Sequence, residues 1–192
     1  MNTLTKKISV FGIGGAGCNA INYLASTNKS NWELVALNTD QKSLNRNKAQ
    51  NKIHLGTNLF GTGGNPDTGT KAAEQSVDEI RTALKSVDTL IIICSPSGGT
   101  GGGVAPYIAK IANEAGAKVF AIALMPFLHE GQLRANQAKD ALTSLRYFAA
   151  TKVIENESIN KAGAEFTTAF KLINQKVKAE IEYIIKLAGK NT

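Results

Sequence analysis

Thr89-Leu90-Ile91-Ile92-Ile93-Cys94 is followed, after Ser95-Pro96, by Ser97-Gly98-Gly99-Thr100-Gly101-Gly102-Gly103 and then by Val104-Ala105-Pro106-Tyr107-Ile108-Ala109. The first segment is a continuous apolar run of strand length, the pattern of a strand buried on both faces. The last opens a helix. Five glycines in seven residues between a strand and a helix leave backbone N–H groups bare at a helix N-terminus. Those groups and the helix dipole both favour an anion, so the segment reads as a phosphate site. No Gly-Lys-Ser/Thr closes it and no Lys follows to reach the phosphates, so it is not a Walker A loop.

The same alternation continues on both sides. Strands are expected at Lys7–Phe11, Glu33–Leu37, Lys52–Leu55, Thr89–Cys94, Lys118–Leu124 and Lys152–Ile154. Helices are expected at Asn19–Ser26, over Lys71–Lys85, from the glycine run to about Glu114, at Gln132–Phe148 and from Glu165 to about Leu187. Phe60 to Thr70 reads as a loop. Strands alternating with helices predict βαβ units: a three-layer, Rossmann-like α/β fold, mostly parallel, with helices on both faces. Ligands in such sheets bind at the carboxyl ends of the strands. Both glycine-rich loops lie at such ends, as do Asn38-Thr39-Asp40, Glu130 and Asn156, so distant parts of the chain converge on one edge.

The composition sets limits. A chain of 192 residues with 43% apolar residues reads as one domain with a proper core. The net charge of +7 comes from scattered lysines, with no basic stripe interleaved with aromatics, so no nucleic-acid partner is expected. Cys18 and Cys94 form neither a metal-ligand spacing nor a disulfide framework. No run has transmembrane length and the first residues are polar, so no membrane partner is expected and a reducing, cytoplasmic setting fits.

Gly12-x-Gly14-x-x-Gly17, after a strand and before a helix, also matches the dinucleotide fingerprint. A dinucleotide site wants an acid at the end of the second strand. Here that strand ends in Leu37-Asn38-Thr39-Asp40, and Asp40 is a poor candidate. The fingerprint also leaves the second glycine run unexplained.

Taken together, these motifs resemble the tubulin/FtsZ superfamily, on its FtsZ side. The second run is similar to the family signature GGGTGTG. The first loop with Asn19-Ala20-x-Asn22 is similar to GxGGxGxNAxN, and Asn38-Thr39-Asp40 to its NTD loop. Gly63-Gly64-Asn65-Pro66-Asp67-x-Gly69-x-Lys71-Ala72-Ala73-Glu74 resembles GANPxxGxxAAEE, and Pro126-Phe127-x-x-Glu130-Gly131-x-x-Arg134 resembles PFxxEGxxR. The resemblance runs from about Ile8 to Leu187. It implies GTP or GDP as ligand and leaves magnesium open. By position, Gly15, Ala16, Gly17, Cys18, Asn19 and Asn22 belong to the loop on the diphosphate and sugar side. Gly98, Gly99, Thr100, Gly101, Gly102 and Gly103 would clasp the phosphates. Glu130 would meet the ribose, Arg134 the phosphates, and Asn156 the ribose or base. On the final helix Phe170 and Asn174 are four apart and share a face. Phe170 would stack on guanine unless it is a core aromatic. Asn174 stands where FtsZ has Asp and tubulins have Asn, and its amide offers both donor and acceptor to guanine.

Three departures stand out. Ser97 replaces the first Gly of the signature, Gly102 replaces its second Thr, and Met125 stands where FtsZ usually has Arg. The family's acidic loop NxDxxD and second domain follow the long helix, and neither is present in these 192 residues. In the family that loop enters the next subunit's site and positions the attacking water. The expectation is therefore a GTP-binding module with slow hydrolysis of its own, docking on or capping filaments of a full-length FtsZ-like protein. Two alternatives stay open: a reduced GTPase that assembles with itself, and a regulator or relic without nucleotide. The apolar Val177, Ile181, Ile184 and Ile185 of the final helix either face the sheet or form a bare patch.

Overall fold

The computed structural model describes residues 6–27, 32–159 and 166–190. Six strands form one sheet: β1 (Ile8–Ile13), β2 (Glu33–Asn38), β3 (Asn51–His54), β4 (Thr89–Cys94), β5 (Lys118–Met125) and β6 (Ala150–Glu155). Their order is β3-β2-β1-β4-β5-β6, and every neighbouring pair is parallel. The order reverses between β1 and β4, where Ile13 pairs with Cys94. That pair ends the two strands that feed the two glycine loops. A crevice at a reversal of strand order is where open α/β sheets take ligands.

Alternation along β4 explains the layers. Leu90, Ile92 and Cys94 point into one core, Ile91 and Ile93 into the other. The first core is closed by α3 (Pro66–Gln75), α4 (Val77–Leu84), α5 (Gly99–Glu114) and α6 (Gln132–Phe148). The second is closed by α1 (Gly14–Thr27), α2 (Gln41–Asn45) and α8 (Phe166–Lys190). A four-residue helix, α7 (Asn156–Ile159), links β6 towards α8. On α8, Val177, Ile181 and Ile184 are buried and Ile185 packs against them, so the apolar stripe faces the sheet. Phe170, Leu172, Tyr183 and Leu187 are among the large apolar side chains of α8 left exposed.

Several elements differ from the sequence expectation. Both glycine loops are shorter than expected, because the glycines themselves form the first turns of α1 and α5. The expected helix over Lys71–Lys85 begins earlier and breaks at Ser76. Asn65 caps α3, accepting from Asp67 N at 2.8 Å, with Pro66 in the first turn where its missing N–H costs nothing. Ser76 is buried and accepts from Gly56 N at 2.9 Å, which ties the break to the loop after β3. The sheet is fully rather than mostly parallel.

Cys18 and Cys94 are both buried, and burial pushes both thiols up to about 12. Between about pH 9 and 12 the unfolded chain loses these protons and the folded chain keeps them. The unfolded state then binds fewer protons, so stability falls as pH rises, by about 1.4 kcal/mol per pH unit for each thiol. Urea melts between pH 8 and 10.5 should show a steeper alkaline loss for the wild-type chain than for C18A/C94A. Parallel profiles would contradict the burial of these thiols.

Candidate functional site

A cavity of about 720 Å³ opens at the carboxyl edge of the sheet, over the ends of β1 and β4. Its floor is made by two helix N-termini. Gly14, Gly15 and Ala16 come from α1, and Gly98 to Gly101 from the start of α5. The first N–H groups of a helix have no partner within it. In α5 the intrahelical pattern starts with Gly102 N donating to Gly98 O at 2.6 Å, and Gly98 caps the helix without a side-chain bond. The two termini abut. Gly14 sits at φ +70, and a Cβ there would stand 3.1 Å from Gly101 N. Only glycine accepts that conformation cheaply and lets the second loop come so close.

The walls come from other loops. The Thr39 and Thr100 hydroxyls are hydrogen-bonded at 2.7 Å, joining the end of β2 to the glycine run. Asp40 lines the cavity, and its carboxylate caps α2 by accepting from Ser43 N at 2.8 Å. That bond holds its carboxyl below the usual carboxylate range. Thr62, Gly63 and Gly64 form a third wall. Opposite lie Glu130 and Arg134. Glu130 accepts from Phe127 N at 2.9 Å and from the Arg134 guanidinium at 3.1 Å, so this carboxylate is fixed rather than mobile. Phe170 is 44% exposed, lines the cavity, and meets the buried Phe127 edge-on at 6.0 Å. It is therefore not a core aromatic, and a ring at this position can stack on a planar ligand.

Asn156 adds a buried polar group to the cavity wall. It is buried, lines the cavity, and its Oδ1 has no hydrogen-bond partner among the described residues. Leaving a buried acceptor unsatisfied costs about 1–3 kcal/mol.

The expected site residues divide into two groups. Gly15, Ala16, Asn19, Gly98, Gly99, Thr100, Gly101, Glu130, Arg134, Asn156 and Phe170 surround one cavity. Gly17, Cys18, Asn22, Gly102, Gly103 and Asn174 do not line it. A Cβ at Gly17 would strike the Ile93 carbonyl, so that glycine lets α1 pack on β4. Cys18 is sealed beneath the loop, with its thiol near the Gly12 and Leu37 carbonyls. Asn22 accepts from Lys48 N at 2.7 Å and pins the chain before β3. Gly102 and Gly103 face a second cavity, between α3, α5 and α6. Asn174 is half-buried on α8, one turn beyond Phe170. Ser95, Thr62 and His129 also line the first cavity and were not singled out from the sequence. Gly61-Thr62-Gly63-Gly64 is a glycine-rich signal that pointed there, whereas nothing in the spacing marks His129 or Ser95.

The chain also matches, over residues 7–164, the family model described as the Tubulin/FtsZ family, GTPase domain. It belongs to the tubulin/FtsZ family. Among FtsZ relatives, the cell division protein FtsZ of Mycoplasmopsis pulmonis is 41% identical over 152 residues, which are 78% of this chain and 39% of that protein. An FtsZ dimer from M. jannaschii superposes with a TM-score of 0.85 at 37% identity, covering 91% of this chain and 52% of that one. CetZ2 from Haloferax volcanii, at 23% identity, shares the fold with a TM-score of 0.84. The match thus spans roughly two-fifths to three-fifths of the length of these proteins. Its all-parallel sheet and helical layers are those of the family's nucleotide-binding domain. Among the described residues no helix is long and apolar enough to cross a membrane.

Proposed function

We propose that this chain binds GTP or GDP in the cavity, with the phosphates on the paired N-termini of α1 and α5 and the base towards Phe170. The observation that carries the reading is the orphaned Asn156 Oδ1, a buried acceptor at a cavity whose floor is made by two helix N-termini. Glu130 serves the ribose and Arg134 the phosphates. Asn174 approaches the base once a nucleotide is bound. Among the described residues no group of three or more His, Cys, Asp or Glu can hold a metal ion by itself.

Hydrolysis needs a positioned water, and phosphoryl transfer is mostly positioning and charge stabilisation. The two carboxylates at the cavity are committed, Asp40 to its helix cap and Glu130 to Arg134. The water-positioning acids therefore come from the family's acidic loop on a molecule docked over this face. The rim suits such docking. Leu59 and Phe60 precede one wall, Leu128 and Leu133 bracket the opposite one, and Phe60 is 92% and Leu128 80% exposed. Exposed apolar side chains around a polar cavity are a feature of interaction surfaces. An FtsZ-type filament end is the proposed partner. The same rim serves a second copy of this chain if it assembles with itself, and filaments formed by it alone with GTP, seen by electron microscopy, would favour that reading.

GTP turnover by these 192 residues alone should be slow, and turnover of a full-length FtsZ should change as this chain is titrated in. Constant turnover per FtsZ across the titration would overturn the docking. For the nucleotide itself, GDP at a hundredfold excess over its dissociation constant should stabilise the fold by about 2.7 kcal/mol. NAD should not.

A further inference from the structure

The second cavity, of about 480 Å³, lies behind the glycine run and is enclosed by α3, α5 and α6. Pockets that take small molecules span roughly 300–1,000 Å³. It shares no lining residue with the first cavity. Its floor is backbone: Gly102 and Gly103 contribute no side chain, and a Cβ at Gly102 would stand 3.5 Å from the Ala141 Cβ. The family signature has its second Thr at that position, so the floor in this chain lacks a side chain that the signature would place there. Along one side the Thr70 hydroxyl, engaged with the Pro66 and Gly103 carbonyls at 3.2 Å each, ties α3 to α5.

The walls carry rings and carboxylates. Tyr107 of α5 and Phe148 of α6 are half-buried in them, and Tyr147 meets Phe148 edge-on at 4.9 Å. Asp67 comes from α3 and Asp140 from α6. Both are exposed, and among the described residues neither is ion-paired. Lys110, the cation of the lining, pairs instead with Glu114 at 4.0 Å, a residue outside the cavity. The charge left uncommitted in the lining is therefore negative. We infer that this cavity takes an organic amine, with its ammonium group on Asp67 and Asp140 and its apolar or aromatic body against Tyr107 and Phe148. The carboxylates attract the ammonium, the ring faces attract the same cation, and the body covers the rings from water. Two carboxylates repel an anion of the same shape. The inference does not depend on the guanine-nucleotide reading, since the two cavities have separate linings.

The test is a ligand-observed NMR titration with three probes that share one ring system: naphthylethylamine, naphthylethanol and naphthylacetate. The amine should bind saturably and roughly fivefold tighter than the alcohol, and the acetate more weakly than the alcohol. D67N/D140N should lower the amine to the affinity of the alcohol. S144F, which places a ring in the cavity from α6, should weaken both. Saturating GDP should leave the amine bound, which separates this cavity from stacking on Phe170. Thermal midpoints of the unliganded variants report that each is folded. D140N alone should give a partial loss and decides the matter if the double variant does not fold. No binding of the amine would overturn the inference. So would equal affinity for the three probes, an amine preference that survives removal of the carboxylates, or displacement of the amine by GDP.

Discussion

Asn156→Ala weakens guanine nucleotide about tenfold while costing the unliganded fold little. The two halves of that expectation have one cause. In the free protein the Asn156 Oδ1 is buried without a donor, so its presence carries a desolvation penalty of about 1–3 kcal/mol. Removing it relieves that penalty, which offsets the packing that the side chain provides. In the proposed complex the same oxygen would gain a donor, and its loss would then remove a favourable bond. A tenfold change is about 1.4 kcal/mol, within the range for one well-placed hydrogen bond. Calorimetric titration with GDP and urea melts of the unliganded protein read the two effects separately. Unchanged GDP affinity would mean that the orphan faces something other than the nucleotide.

Gly103→Ala should be the most damaging single methyl. A Cβ there would collide with the Pro66 carbonyl oxygen and stand 2.8 Å from Thr70 N and 2.9 Å from the Pro66 carbonyl carbon. All three atoms are backbone, so no side chain can swing aside, and α3 must move off α5. The Thr70 hydroxyl, which reaches the Gly103 and Pro66 carbonyls at 3.2 Å each, would be displaced with it. Overpacking of this kind costs about 1–3 kcal/mol or more. The better helix propensity of alanine returns at most about 1 kcal/mol. A net loss of about 2 kcal/mol lowers the thermal midpoint by roughly 4–8 °C in a chain of this size. Gly15→Ala is the contrast. Nothing lies within 4 Å of a Cβ there, so the melt should barely move, while the added methyl faces the nucleotide cavity. Equal midpoints for Gly103→Ala and wild type would refute the close helix crossing.

These two glycines also show what the sequence can and cannot disclose. The run Gly98 to Gly103 is conspicuous, and its place after a buried strand points to phosphate. The spacing does not reveal that its first half lines the cavity and its second half faces a neighbouring helix. That division depends on where α3 crosses, and α3 starts at an Asn-Pro cap within a stretch that reads as loop. Strand positions were legible because parallel strands buried on both faces are continuous apolar runs, as at Thr89–Cys94. The stripe on α8 was legible, but its direction was not, since period alone does not say which side the sheet is on. Phe170 was ambiguous between core and stacking platform until its exposure was known. Asn156 was expected at the nucleotide from resemblance. Its unsatisfied oxygen, which gives that role a physical cause, exists only in three dimensions.

On the proposed reading, two helix N-termini and an orphaned amide form a guanine-nucleotide site. Its most direct test is calorimetric titration of the nucleotide-stripped protein with GDP and with ADP at equal concentrations. The expected result is saturable binding of one GDP per chain, with ADP bound at least tenfold more weakly. No heat with GDP beyond dilution, or equal affinity for ADP, would contradict it.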